Sequence, residues 1–137
     1  MAFIFKSTQP DINSGSLLPL NQAIDRGNEG IVRLLLDHGS PNLFRRDSLG
    51  KSPIHYAGQK RDRTVLEMLL SKGADPNMPD GDGNTILHYM CEGHVRDFEL
   101  EMMRWLIESK GMRFIRNNEH QTPVTLIKSF PSKKVNY

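Results

Sequence analysis

Residues 52–77 read Ser-Pro-Ile-His-Tyr-Ala-Gly-Gln-Lys-Arg-Asp-Arg-Thr-Val-Leu-Glu-Met-Leu-Leu-Ser-Lys-Gly-Ala-Asp-Pro-Asn. The stretch holds a complete structural unit. Pro53 suits the first turn of a helix, where a missing N–H leaves no bond unmade. Val65, Leu66, Met68, Leu69 and Leu70 predict a second helix that is apolar over a broad face. Gly73 stops that helix, because glycine reaches the left-handed conformation that a C-terminal cap needs. Helix, turn, helix, cap and extended loop follow one another within one short segment.

The unit recurs. Leu18-Pro19-Leu20-Asn21-Gln22-Ala23 leads to Leu34-Leu35-Leu36-Asp37-His38-Gly39, and Thr85-Ile86-Leu87-His88 leads to Trp105-Leu106-Ile107 and Gly111. Thr122-Pro123-Val124-Thr125 opens a fourth copy. The equivalent residues Pro19, Pro53, Ile86 and Pro123 lie 34, 33 and 37 residues apart. A 33-residue period carrying a Thr-Pro-Leu-His-x-Ala signature resembles the ankyrin repeat, and the resemblance covers residues 11–130. It implies an all-α solenoid of stacked helix-turn-helix units with β-hairpin-like loops, about three full repeats plus caps. The expected division of this single domain is an N-terminal cap at 1–16, repeats at 17–49, 50–82 and 83–116, a C-terminal cap repeat at 117–130 and a tail at 131–137.

Composition is compatible with that architecture. At 137 residues the chain suits one domain, and 37% hydrophobic residues suffice for the thin core of a repeat array. A net charge of +2 argues for neither a nucleic acid nor a membrane partner. No run of 18 apolar residues or N-terminal signal pattern occurs. The single Cys91 excludes an internal disulfide and fits a reducing compartment. The expected location is cytoplasmic, with the nucleus also open.

Chemistry-bearing patterns are few. His88, Cys91 and His94, three apart, resemble part of a zinc site, but no further Cys supplies a fourth ligand. The resemblance gives His88 another role, hydrogen bonding to the backbone of the adjoining loop. It implies the same for His55, with Asn21 as the substitute in the first repeat. Asp80-Gly81-Asp82-Gly83-Asn84 begins like a calcium loop, yet Thr85 and Cys91 stand where Gly and Glu are required. Phosphate cradles, nucleophile elbows and paired catalytic carboxylates are absent from the sequence. The reading is a non-enzymatic chain with no catalytic residues, cofactor or metal.

Surface residues remain. The resemblance places partner contacts on the loop tips and first helices: Asp25 and Arg26, then Arg45, Ser48, Leu49, Lys51, Gln59 and Lys60, then Met78, Asp82, Asn84 and Glu92. Leu49 and Met78 are apolar where polar residues would suffice, so both are expected to be exposed for contact. Phe44 beside Arg45 and Arg46 either adds a hot spot or packs under its own loop. Arg45, Arg46, Lys51, Lys60, Arg61 and Arg63 together suggest a basic strip for an acidic protein partner, or simply a solvated face. Arg61 occupies the turn where the family uses glycine, which implies strain or a different turn shape.

Three further expectations concern the array itself. From proline to capping glycine the first two repeats span 20 residues each, whereas Ile86 to Gly111 spans 25. The extra residues are assigned to an enlarged turn within Gly93–Glu101 that carries Phe98 sideways. Val124, Leu126, Ile127 and Phe130 are expected to form a single covering helix. Ile31, Val32, Leu34, Leu35 and Leu36 are expected to face the core. Finally, Gly83-Asn84-Thr85-Ile86-Leu87-His88-Tyr89 is similar to repeats in viral ankyrin proteins that mimic inhibitors of Rel-type transcription factors. With a chain that begins at Met and holds little besides repeats, this suggests a stand-alone inhibitor.

Overall fold

Helices α1 (Pro19–Asp25) and α2 (Glu29–His38) form the first hairpin, and α3 (Pro53–Lys60) and α4 (Arg63–Ser71) form the second. The computed structural model describes residues 19–39 and 41–129. These fall in two units, divided between Ala74 and Asp75. The expected cap at 1–16, Phe130 and the tail at 131–137 lie outside the described residues.

In the first unit α1 packs on α3 and α2 on α4, so the two repeats stack helix on equivalent helix. Each second helix is started by a side chain at the same repeat position. Asn28 Oδ1 accepts the N–H of Ile31 at 3.2 Å, and Asp62 Oδ1 accepts that of Val65 at 3.2 Å. The turn at Gly27 has φ +73°, and Arg61 keeps the same left-handed shape with φ 53° and ψ 41°. Arginine therefore tolerates a conformation that disfavours Cβ, rather than reshaping the turn. Gly39, by contrast, ends α2 at φ −101° and is not a left-handed cap.

The core of this unit is Leu20, Ala23, Ile24, Val32, Leu36, Ile54, Ala57, Val65, Leu66 and Leu69. The stripe expected on α2 is narrower than its sequence. Residues advance roughly 100° each around a helix, which puts Val32 and Leu36 inward and Leu35 on the boundary, half-buried. Ile31 and Leu34 face outward, 41% and 57% exposed.

The second unit contains α5 (Ile86–Cys91), β1 (Gly93–His94), α6 (Asp97–Lys110), a 3₁₀ turn (Pro123–Leu126) and β2 (Ile127–Ser129). Helix α5 packs against both α6 and the 3₁₀ turn. The extra residues of the third repeat do not make a simple large turn. They form β1 and lengthen the second helix to 14 residues, against 10 in α2 and 9 in α4. Phe98 consequently sits in the first turn of α6. The expected covering helix of the fourth copy is likewise replaced. One 3₁₀ turn forms after Thr122, and the chain then extends as β2 to pair in parallel with β1, Gly93 opposite Ile127. The backbone groups that β1 offers outcompete a further helical turn for the β-branched Ile127.

Arg96 and Glu99 anchor this rearranged segment. Glu99 is 1% exposed, and its carboxylate accepts the Arg96 N–H at 3.1 Å and Nε–H at 3.0 Å. The acid thus caps α6 from its third position and neutralises its own burial cost with the guanidinium.

Candidate functional site

Three loop tips share one construction. Asp47 Oδ1 accepts the N–H groups of Leu49 (2.9 Å) and Lys51 (3.0 Å). Asp80 Oδ1 accepts those of Asp82 (2.8 Å) and Asn84 (2.9 Å). Asn117 Oδ1 accepts those of Glu119 and Gln121, both at 2.9 Å. In each tip the Asx residue also donates its own N–H to the carbonyl four positions on, Lys51, Asn84 and Gln121 respectively. The residue at the bend is left-handed each time: Gly50 at φ 78°, Gly83 at φ 83° and His120 at φ 63°. Five-residue tips closed this way hold their outward side chains at fixed angles. Sequence reasoning missed the Asx residues, although Asp47 and Asp80 repeat at the same period as the helices.

A second side chain braces the first two tips. The hydroxyl of Tyr56 donates to Asp47 Oδ2, and that of Tyr89 donates to Asp80 Oδ2. Burial works to raise the Asp47 carboxyl, but the bonds from Tyr56, Lys51 and Leu49 outweigh it and hold the group below its usual value. Burial, then the hydrogen bond and charge of Asp47, push the Tyr56 phenol upward.

In the first unit the braced tip displays Ser48 and Leu49, the latter 69% exposed. Phe44 is presented rather than tucked under the loop, 53% exposed. Several of the remaining anticipated residues are drawn together in pairs. Lys51 Nζ bonds Gln59 Oε1 at 2.8 Å and lies 4.8 Å from the centre of the Tyr56 ring. Lys60 pairs with Asp25 at 3.7 Å. Arg26 and Arg45 are exposed. The basic strip is therefore partly neutralised, by Asp25 at Lys60 and by Glu67, 3.3 Å from Arg63, while Arg46 donates to the neutral Gly50 carbonyl and keeps its charge.

In the second unit Asp82, Asn84 and Glu92 line a cleft of about 400 Å³ with His88, Tyr89, Asn117 and Gln121. Asn117 Nδ2 donates to Asn84 Oδ1 at 2.8 Å, and Asn118 donates its N–H to the Asp82 carbonyl at 2.9 Å. The two tips approach so closely at Gly83 that a Cβ there would sit 2.7 Å from Asn118 N. Met78 does not belong to this surface. It is 8% exposed, because the loop folds its apolar side chain inward instead of offering it to solvent.

His55 and His88 are structural. His88 Nδ1 accepts the Thr85 N–H at 3.0 Å, which leaves the ring proton on Nε2 to donate to the Gln121 carbonyl at 2.9 Å. His55 Nδ1 accepts the Ser52 N–H at 2.9 Å. Asn21 does not reproduce this role. It is 3% exposed, and its amide has no partner among the described residues. The helical His-Cys-His face does not form either, since α5 ends at Cys91 and His94 lies exposed on β1. Cys91 is buried with Sγ 3.5 Å from Met103 Sδ.

Paired helices repeated at 33–34 residues and joined by closed tips define an ankyrin-repeat protein. The chain belongs to that family: the profile described as "Ankyrin repeats (3 copies)" matches residues 2–80, and that described as "Ankyrin repeats (many copies)" matches 61–107. Among similar proteins, an ankyrin repeat protein of Acanthamoeba polyphaga mimivirus is 35% identical over 59% of this chain and 11% of its own length. An alpha-latrotoxin of Latrodectus tredecimguttatus is 35% identical over 72% of the chain and 7% of the toxin. An ankyrin repeat protein of fowlpox virus is 28% identical over 77% of the chain and 30% of the viral protein. The chain thus spans a minor part of these relatives. The ankyrin repeat domain of Bcl-3, a member of the IkappaB family, superposes with a TM-score of 0.66 at 26% identity, covering 80% of this chain and 46% of that one. The fold is a protein–protein interaction module, and its scaffold is generally non-enzymatic. Among the described residues no helix is long and apolar enough to cross a membrane.

Proposed function

We propose that the chain binds a protein partner through the first unit's loop tip, with Leu49 as the central contact and Phe44, Arg45 and Ser48 around it. The observation that supports this reading is Leu49 itself, a large apolar side chain mostly in solvent on a backbone pinned by Asp47. A pre-ordered apolar anchor loses little entropy when a partner covers it. Arg26 and Arg45 favour an acidic rim on the partner, which would make association faster at low salt. The test is capture of partners from host extract with wild-type and Leu49→Asp protein. Loss of capture with an unchanged circular dichroism spectrum supports the tip, and undiminished capture moves the interface elsewhere. Micromolar binding to generic duplex DNA at physiological salt would overturn the protein-partner reading.

A narrower reading is inhibition of host signalling by mimicry of an ankyrin inhibitor of a Rel-type transcription factor. The likeness to the Bcl-3 domain and to poxviral and mimiviral ankyrin proteins favours it. Titration of the purified chain against a Rel-type dimer decides it, and no binding at micromolar concentration removes it.

A further inference from the structure

Between Leu43 and Ser52 the chain reads Phe-Arg-Arg-Asp-Ser-Leu-Gly-Lys. Ser48 has guanidinium groups three and two residues before it, at Arg45 and Arg46, and a large apolar residue directly after it, Leu49. All four residues are exposed. We propose that Ser48 is a phosphorylation site for a protein kinase of the class that selects basic substrates. The substrate cleft of such a kinase offers carboxylates to the arginines, which bind them in bidentate fashion, and an apolar pocket to the residue after the acceptor.

The sequence holds a second, partial match. Arg61 precedes Thr64 by three residues, and the apolar Val65 follows it. The fold separates the two. A kinase takes its acceptor in an extended segment, so the recognised residues must leave their own turn or helix. Thr64 lies in the first turn of α4, Val65 is 0% exposed, and Arg61 closes a left-handed turn. Presenting Thr64 would unpack the core stripe of α4. At Ser48 no such loss occurs, because none of residues 44–51 is buried. The tip is closed by bonds to Asp47 from the N–H groups of Leu49, Gly50 and Lys51. Local opening of a surface segment with no buried apolar side chain costs far less than global unfolding.

In the transfer, Ser48 Oγ attacks the γ-phosphorus of ATP. The Oγ–P bond forms as the bond to the β–γ bridging oxygen breaks, ADP leaves, and the hydroxyl proton passes to the kinase's catalytic aspartate. Arg45, Arg46 and Lys51 against Asp47 give the tip a charge of +2. A phosphoryl group adds about −1.5 to −2 near neutral pH. The modified tip is then close to neutral, with the new charge beside Leu49 and repelling the Asp47 carboxylate.

The test is incubation of the folded full chain with ATP and the purified catalytic subunit of cyclic-AMP-dependent protein kinase, followed by peptide mass spectrometry. Phosphate is expected at Ser48 and not at Thr64, and Ser48→Ala should abolish it. Arg45→Ala with Arg46→Ala should lower kcat/KM at least about tenfold, through loss of charge-assisted bonds to the kinase. Tyr56→Phe lies outside the recognised residues and removes the brace on Asp47, so it should raise kcat/KM severalfold. No phosphate at Ser48, equal labelling of Thr64, or a rate indifferent to the two arginines would overturn the proposal. A rate for Tyr56→Phe no higher than that of the wild type would overturn tip opening as the step that admits the kinase.

Discussion

Tyr56 donates its hydroxyl hydrogen to Oδ2 of Asp47, nine residues earlier, while Oδ1 of the same carboxylate holds the N–H groups of Leu49 and Lys51. One acid therefore ties the first helix of a repeat to the tip in front of it. Tyr89 and Asp80 repeat the arrangement one period later. Replacing Asp47 by Ala removes three bonds from the tip at once. The amides of Leu49 and Lys51 should then exchange with deuterium much faster, by at least an order of magnitude. Tyr56→Phe should cost about 1.5–3 kcal/mol of unfolding free energy, the usual effect of deleting a hydrogen bond to a charged group. Unchanged exchange in Asp47→Ala would show that the tip is held by other contacts.

Leu69 is fully buried on α4 whereas Leu35 lies on the boundary of α2. Leu69→Ala should therefore destabilise by about 2–5 kcal/mol, and Leu35→Ala by clearly less. Chemical denaturation of the two variants measures the difference. Equal losses would contradict the half-buried placement of Leu35.

Met78 and Leu49 should respond oppositely to a charge. Leu49→Asp adds a carboxylate in solvent and should leave the melting temperature nearly unchanged. Met78→Asp forces an unpaired carboxylate into a buried site, at a cost of several kcal/mol or a shift of its pKa. Thermal melts at neutral pH separate the two.

Acid sensitivity should reside partly at Glu99. The Arg96 hydrogen bond, its main influence, holds this carboxyl below the ordinary 4.5, with burial opposing. A group whose folded value is depressed adds stability above its unfolded value and loses it as pH falls through the folded one. Stability should therefore decline below about pH 4.5, and Glu99→Gln should flatten the decline while lowering stability at pH 7. An identical pH profile in the variant would place the acid-sensitive groups elsewhere.

Asn21 stands in the repeat position filled by His55 and His88, but its amide is buried without a partner among the described residues. In the third repeat the imidazole reaches the Gln121 carbonyl, whose repeat equivalent in the first unit is that of Lys51. Asn21→His should restore such a bond and raise stability by about 1 kcal/mol. A fall in melting temperature would mean that the site cannot hold the larger ring.

Periodicity alone determined the repeat, its register and the positions of the paired helices. Each of those depends on local signals that sit close together in the chain: Pro53 at a helix start, the apolar run Val65–Leu70, Gly73 after it. Leu49 was legible as surface for the same reason, lying between two well-marked helices, whereas for Phe44 the sequence left open whether it is presented or packs under its own loop. Which face of α2 is core was not legible, because five apolar residues in six leave the direction to whatever packs on the helix. The fate of Met78, the replacement of a fourth-copy helix by β2, and the Arg96–Glu99 anchor were decided only in three dimensions. Each depends on competition between a local preference and a partner many residues away, such as the backbone of β1 thirty-four positions before Ile127. The loop tips fall between these cases. Their Asx residues recur in the sequence at the repeat period, but only the folded backbone brings two N–H groups within reach of one side-chain oxygen.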